Sequence, residues 1–186
     1  MRVQSLDLEE KYSPNLMPVE ITKYDVIKAS LQGCSAAIFA ASASGKKKGG
    51  DPAHVDDYLG LYNTAKACLE LGIDKLVVVS AGSVTRPSFI GFKATNMFVA
   101  PLYGPNIIGY KMAGENAMRE LYAGQDKCVY CILRPGGLSD APAEGPTKLH
   151  LSQGDIYSAE IFREDVAEVA VAALLKGSAT DNTTFE

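Results

Sequence analysis

The sequence predicts an α/β protein built on a mainly parallel sheet with helices on both faces. Three observations carry that prediction. Short apolar runs alternate with amphipathic segments along the chain, the rhythm of repeated βα units. Two of the runs, "SAAIFAA" (35–41) and "KLVVVS" (75–80), are continuously apolar, as strands covered on both faces are. Small, hydroxyl or glycine residues follow the runs, and parallel sheets bind ligands at that end of their strands.

In chain order, "LMPVE" (16–20) reads as a strand, followed by a helix from about Tyr24 to Gln32 and the strand 35–41. A loop holding "GKKKGG" (45–50) lacks the G-x-x-x-x-G-K-[ST] order of a P-loop and reads as a solvated basic loop. The next helix runs from Val55 to Leu71, with an apolar stripe of Val55, Tyr58, Leu59, Tyr62 and Leu69 and a stop at Gly72. After the strand 75–80, the stretch Ala81 to Pro105 shows no clear element. It holds Phe89, Phe92, Phe98 and Tyr103, too apolar for a disordered linker, and reads as a binding wall or lid. A helix from about Asn106 to Tyr122 and a strand "CVYCILR" (128–134) come next. An irregular stretch then reaches Gly154. "IYSAEIF" reads as a short strand and "REDVAEVAVAALL" as a helix with Val166, Val169, Ala173 and Leu174 inward. Its first turn holds Glu164 and Asp165, where the helix dipole favours acids. The final "TTFE" looks like a strand beginning.

At 186 residues and 47% hydrophobic, the chain has a single-domain length with ample material for a core. No repeat or second domain is visible. A formal charge of −4 argues against nucleic acid as a partner. No apolar run reaches the roughly 18 residues that span a bilayer, and the N-terminus reads as neither a signal nor a transit peptide. His54 and His150 stand far apart without ligand-spaced acids, so no metal site is expected. Cys128 and Cys131 mimic a redox C-x-x-C, but on a strand residues i and i+3 point to opposite faces and cannot easily pair. Buried structural thiols are expected instead.

The candidate site follows from the strand ends. Ala41-Ser42-Ala43-Ser44-Gly45 follow the second strand, Ser80, Ala81, Gly82 and Ser83 the third, and Pro135, Gly136 and Gly137 the strand at 128–134. Such residues let a flat ligand lie against the backbone. On the helix 106–122, Lys111 falls in line with Ile107, Gly114, Met118 and Leu121. It therefore points toward the protein body, either snorkelling past the core edge or holding a ligand. Tyr110 lies on the neighbouring stripe and reads as a packing residue.

Four segments, "VDDYLGLYNTAKACLELGIDKLVVVSAGS", "YKMAGENAMREL", "CILRPGGLSD" and "IFREDVAEVAVAALL", resemble in order and spacing the atypical short-chain dehydrogenase/reductases. The nearest group is the NmrA-like, NAD(P)H-binding proteins, and the similarity covers Met17 to Leu175. The resemblance implies a Rossmann-like, doubly wound, three-layer αβα sheet that binds NADPH or NADH, with no preference between them legible. By position, Lys111 matches the lysine that meets the nicotinamide ribose, with Glu115 one turn on. Ser80 and Ser83, with Ala81 between them, match the hydroxyl-bearing turn beside the nicotinamide, so that Lys111, Ser80 and Ser83 are the candidate catalytic residues. Arg134, Pro135, Gly136, Gly137 and Leu138 match the segment that closes over the nicotinamide, Asn63 the helix asparagine, and Ala40, Ala41 and Ser42 the segment beside the adenosine ribose.

Two departures qualify the resemblance. The dehydrogenase tyrosine belongs four residues before the lysine, where it can transfer a proton, and here that position is Ile107. Tyr110 is about 100° around the helix from Lys111, and Tyr103, eight residues upstream, is a phenol that could reach in from the loop. The family's opening strand and G-x-x-G-x-x-G turn are also not found. The chain reads as starting near the second family strand, "MRVQSL", so a single, N-terminally incomplete domain over 1–186 is expected. Losing a central strand would leave edges unpaired, with poor independent stability and weak cofactor affinity.

Three readings follow. The protein is an NAD(P)H-dependent atypical reductase of a small-molecule substrate, a non-catalytic nucleotide-binding regulator or assembly factor of the same fold, or a truncated form unable to bind cofactor. A soluble intracellular location is expected, cytoplasmic or, if an upstream transit peptide is missing, plastid.

Overall fold

The computed structural model describes residues 19–42, 54–86, 106–175 and 177–186, with the isolated positions 93 and 97. Helix α1 (Tyr24–Ser30) leads into strand β1 (Ala36–Phe39). A π-helical turn (His54–Gly60) runs directly into α2 (Leu61–Leu71), followed by β2 (Lys75–Val79). Then come α3 (Ile107–Tyr122), β3 (Val129–Leu133), β4 (Leu138–Ser139), a 3-10 turn (Pro146–Lys148) and β5 (Ile161–Phe162). Helix α4 (Arg163–Leu175), a second 3-10 turn (Gly177–Thr180) and β6 (Thr183–Phe185) close the order.

The main sheet is parallel throughout, in the order β1-β2-β3-β6. Ile38 stands beside Val77, Val77 beside Cys131, and Cys131 beside Thr183. Strand alternation divides the apolar side chains between two faces. Leu76, Val78 and Ile132 pack with Phe39, Leu61, Ala65, Cys68 and Met118 on one. Val77, Cys131 and Leu133 pack against Ala170 and Ala173 of α4 on the other. Each face is thus sealed by helix, as a parallel sheet requires. Burying a side chain such as Leu76 or Ile132, both fully inaccessible, contributes about 1.5–3 kcal/mol. The same alternation separates the C-x-x-C cysteines. Cys128 joins the first cluster and Cys131 the second, and all four cysteines are unpaired thiols.

Gly72 ends α2 as expected. Its φ of 68° lets its N–H reach Leu69 O while Ile73 N–H reaches Cys68 O, a Schellman closure. At the amino end of the sheet, buried Lys75 donates to Asp181 at 2.6 Å, Thr180 Oγ1 at 2.6 Å and Gly177 O at 3.2 Å. Three acceptors offset the cost of burying its charge and tie the second 3-10 turn to the sheet.

Three expectations need correction. The buried residues of α2 are Leu61, Thr64, Ala65, Ala67 and Cys68, whereas Tyr58, Leu59, Tyr62 and Leu69 are only partly buried; the side chain of Val55 lies outside what is described. The buried face runs through Asp57, Leu61, Thr64, Ala65 and Cys68, one residue before the predicted stripe and continuous in helical spacing from the π turn into α2. Strand structure in "IYSAEIF" is confined to Ile161–Phe162, which pairs in parallel with β4 rather than the main sheet. Val19 and Glu20 form no strand, and positions 16–18 lie outside the described residues. On α4, Val166 and Ala173 are buried and Val169 and Leu174 pack partly buried against the same core, so the four predicted residues face inward, joined by buried Asp165 and Ala170. The basic loop at 45–50 and Phe89, Phe92, Phe98 and Tyr103 also lie outside the described residues.

Among the described residues, no helix is long and apolar enough to cross a membrane, and no group of His, Cys, Asp or Glu is arranged to hold a metal ion.

Candidate functional site

The predicted site residues gather at the carboxyl ends of the strands, but they divide between two buried carboxylates. The first is Asp57, whose side chain is completely buried. It lies in the π turn on the same face as Leu61, Thr64 and Cys68, and that buried stripe carries it inside. Its Oδ1 accepts a hydrogen bond from Ser42 Oγ at 2.8 Å, and Lys111 Nζ forms an ion pair with the same oxygen at 2.7 Å. Lys111 is thus directed inward, as its stripe on α3 predicts, with a side chain only 12% exposed. Gly114, one turn on, permits this approach: a Cβ there would stand 2.5 Å from the Asp57 carbonyl oxygen. Tyr110 packs against Val84, Ile107 and Ile108, and its ring meets that of His54 edge-on at 5.2 Å. Ile107 is buried in the same cluster.

The second carboxylate is Glu115, also fully buried. Ser80 Oγ donates to its Oε1 at 2.6 Å, Arg134 Nη2 to its Oε2 at 2.6 Å, and Arg119 Nη2 to its Oε2 at 3.0 Å. Arg134 Nε adds contacts at 3.2 Å to both oxygens, and Nη1 reaches Glu186 Oε1 at 3.4 Å. Burial alone would pull the Arg134 guanidinium downward, but the hydrogen-bonded Glu115 carboxylate, with Asp155 and Glu186, outweighs it and raises the group above its usual value. Ser80 and Arg134, predicted to face a ligand, spend their polar atoms on this acid.

The turn after β2 is shaped by a third buried acid, Asp155. It accepts from the backbone N–H of Ser83 and of Thr85 and from Thr85 Oγ1. Those bonds hold Ser83 at a φ of 64°, a left-handed conformation that a serine adopts only with such support. Ser83 Oγ in turn accepts from Arg86 Nη2 at 3.0 Å. Backbone bonds from Ser80 N–H to Leu133 O and from Gly82 N–H to Pro135 O lock this turn to the one after β3.

The remaining candidates form the rim. Ala40 is exposed and lines an apolar cavity of about 310 Å³ with Ile38, Val79 and Val171. Ala41 and Ala81 are partly buried. Gly137 and Leu138 are exposed, and a Cβ on Gly137 would meet open space. Asn63 is half-buried in the first turn of α2 and joins neither carboxylate cluster by a described hydrogen bond.

Beside the Arg134–Gly136 turn lies a second cavity, of about 260 Å³, walled by Lys148, His150, Tyr157, Ser158 and Glu160 among others. His150 and Tyr157 meet edge-on at 5.5 Å. The backbone of Ala159 runs so close to Gly136 that a Cβ there would stand 1.8 Å from its carbonyl oxygen. Glycine is therefore required at 136 by close packing of this wall.

Sequence reasoning missed Asp57, Asp155 and the wall at 157–160. The acidic pair in "VDDY" and the glycine at 114 are the signals that bear on Asp57, which lies in line with Leu61, Thr64 and Cys68 on the buried face of its helix. Asp155 and the wall act across sequence separations that leave no local pattern.

Comparisons with known proteins bear on the family and the fold. A model of the NAD(P)H-binding family matches residues 3–176. No curated protein matches the chain. Among solved structures, a Bacillus halodurans protein assigned to the NAD-dependent epimerases/dehydratases is 24% identical, with a TM-score of 0.74 over 100% of this chain and 78% of that one. A short-chain dehydrogenase/reductase from Veillonella parvula in complex with NADP is 16% identical, with a TM-score of 0.64 over 91% of this chain and 69% of that one. The anaerobilin reductase ChuY from Escherichia coli is 19% identical, with a TM-score of 0.59 over 89% of this chain and 70% of that one. These likenesses are of fold, and the fold is Rossmann-like. With the family model spanning nearly the whole chain, the protein belongs to the NAD(P)H-binding family.

Proposed function

We propose that the protein binds NAD(P)H across the carboxyl ends of β1, β2 and β3 and acts as an oxidoreductase on a small molecule held in the 260 Å³ cavity. The observation that carries this reading is Lys111, an inward ammonium held beside the strand ends by Asp57 at 2.7 Å. The rim fits a flat ligand: Ala40 and Ser42 are exposed and Gly137 opens onto free space. Lys111 is assigned to the nicotinamide ribose, Ala40, Ala41 and Ser42 to the flank of the dinucleotide, and Asn63 to the helix side. Ser80, Ala81 and Ser83, with Arg134, Pro135, Gly136 and Gly137, are assigned to the walls of the nicotinamide end. Ser80 and Arg134 would act mainly through Glu115, shaping the turns rather than donating to a ligand.

When bound, the dihydronicotinamide supplies a hydride. The chain's own part is to orient the ribose through Lys111 and to hold the acceptor beside Pro135 and Gly136. Ile107 stands where a proton-donating tyrosine would be, and the Ser80 hydroxyl is given to Glu115, so the reduced acceptor would take its proton from solvent. Acceptors that need little acid assistance, such as flavins or quinones, suit this site. The same two residues support the second reading, a nucleotide-binding regulator without turnover.

Titration of NADPH and NADH fluorescence tests binding. Saturable binding, weakened about tenfold or more by Lys111→Ala, is expected; no binding at millimolar nucleotide would refute the proposal. NADPH oxidation with flavin or quinone acceptors then separates enzyme from regulator, since binding without turnover favours the latter.

A further inference from the structure

Ser42 and Lys111 correspond by resemblance to opposite ends of a dinucleotide, yet their polar atoms meet on a single oxygen of Asp57. We infer that Ser42, Asp57 and Lys111 form one ribose-recognition unit, in which Asp57 is the positioning residue. This inference rests on the proposed dinucleotide site and assigns within it a residue that touches no ligand itself.

The chemistry of the three groups supports the unit. An ammonium carries three N–H donors, more than one carboxylate oxygen can take, so Lys111 keeps donors for a ligand oxygen. Ser42 has one O–H and gives it to Asp57; its lone pairs are what it can offer outward. A donor and an acceptor anchored on the same oxygen match a sugar hydroxyl, which both accepts and donates. They match a phosphate poorly, because its oxygens would face the Ser42 lone pairs and the Asp57 charge.

Burial explains why the positioning is effective. Asp57 is completely buried and the Lys111 side chain nearly so. A lysine loses rotamer freedom when it is fixed. Here that ordering occurs on folding rather than on ligand binding. The Gly114 crossing keeps the π turn and α3 in backbone contact, so neither side of the pair can drift.

The test is a double-mutant cycle on nucleotide affinity, read by NADPH fluorescence with melting temperature measured in parallel. Asp57→Asn should weaken binding about tenfold in the native background and have little further effect when Lys111 is already Met. A purely structural role would weaken binding equally in both backgrounds, and that result overturns the inference. Unchanged affinity in Asp57→Asn overturns it as well. Should Asp57→Asn fail to fold, Ser42→Ala decides: Ser42 is exposed, and its loss should leave melting unchanged while weakening affinity about threefold. Unchanged affinity there refutes the shared unit. Wild-type protein that binds no nucleotide overturns the proposed function and this inference together, whereas wild-type binding indifferent to Asp57 and Ser42 overturns the inference alone.

Discussion

Asp57 and Glu115 are both fully buried acids that meet α3, one through Lys111 and the other a single turn further on, yet they serve different ends. Glu115 receives two guanidinium groups and a hydroxyl from β2, β3 and its own helix. Its partner Arg134 has a side chain only 6% exposed. Asp57 receives an ammonium with donors to spare and a hydroxyl from an exposed loop residue. A closed network of charge-assisted bonds fixes the strand ends relative to α3, while the more open pair is the one proposed to meet a ligand. Position beside a strand end does not by itself make a polar residue a ligand contact; what matters is whether its polar atoms are already committed.

Breaking the Glu115 network should have the largest effect. Glu115→Ala leaves Arg134 buried without its main partner and should cost about 3–5 kcal/mol, lowering the melting temperature by roughly 10 °C for a chain of this size. A loss under 1 kcal/mol in chemical denaturation would mean the network is not structural. Next comes the crossing at Gly114. Alanine there would meet the Asp57 carbonyl at 2.5 Å and should cost about 1–3 kcal/mol through overpacking, with nucleotide affinity falling as the Asp57–Lys111 pair is displaced. Stability without affinity loss would separate the crossing from the site.

Smaller effects follow from titration. Burial first, with the neighbouring thiols of Cys128 and Cys34, pushes the Cys68 thiol up to about 12, and burial likewise raises Cys131. A group whose value is raised on folding stabilises fully below its unfolded value, so stability should decline as pH climbs from the ordinary thiol range toward 12. Labelling with a thiol reagent at neutral pH should modify exposed Cys34 quickly and Cys68, Cys128 and Cys131 only on unfolding. The smallest effect is at the surface: Lys28, followed by Tyr24, holds Glu70 below its usual range. That contribution is present above the normal glutamate value and lost as pH falls through the lowered one, and Lys28→Ala should remove it with little change in melting temperature.

Much of the fold was legible because apolar periodicity reports burial directly. "SAAIFAA", "KLVVVS" and "CVYCILR" each contain a strand, and the inward placement of Lys111 followed from its alignment with Ile107 and Met118. The site was legible only as a neighbourhood. Ser80 and Arg134 stand near the predicted place, but their shared partner Glu115 lies 35 and 19 residues away in sequence, and pairing over such distances leaves no local trace. Asp57 was hidden for a different reason: Tyr58 and Tyr62 draw the apolar stripe one position too far along, whereas the buried face runs through Asp57, Leu61, Thr64 and Cys68.

The central claim is that the Asp57–Lys111 pair faces a nucleotide and the Glu115 network does not. The most direct measurement is NADPH affinity in Lys111→Met beside Arg119→Met, which removes a guanidinium from Glu115. The account predicts that Lys111→Met weakens binding at least tenfold with a modest change in melting temperature, while Arg119→Met lowers the melting temperature and leaves affinity within about twofold. Equal affinity in wild type and Lys111→Met, or a larger loss in Arg119→Met, would contradict it.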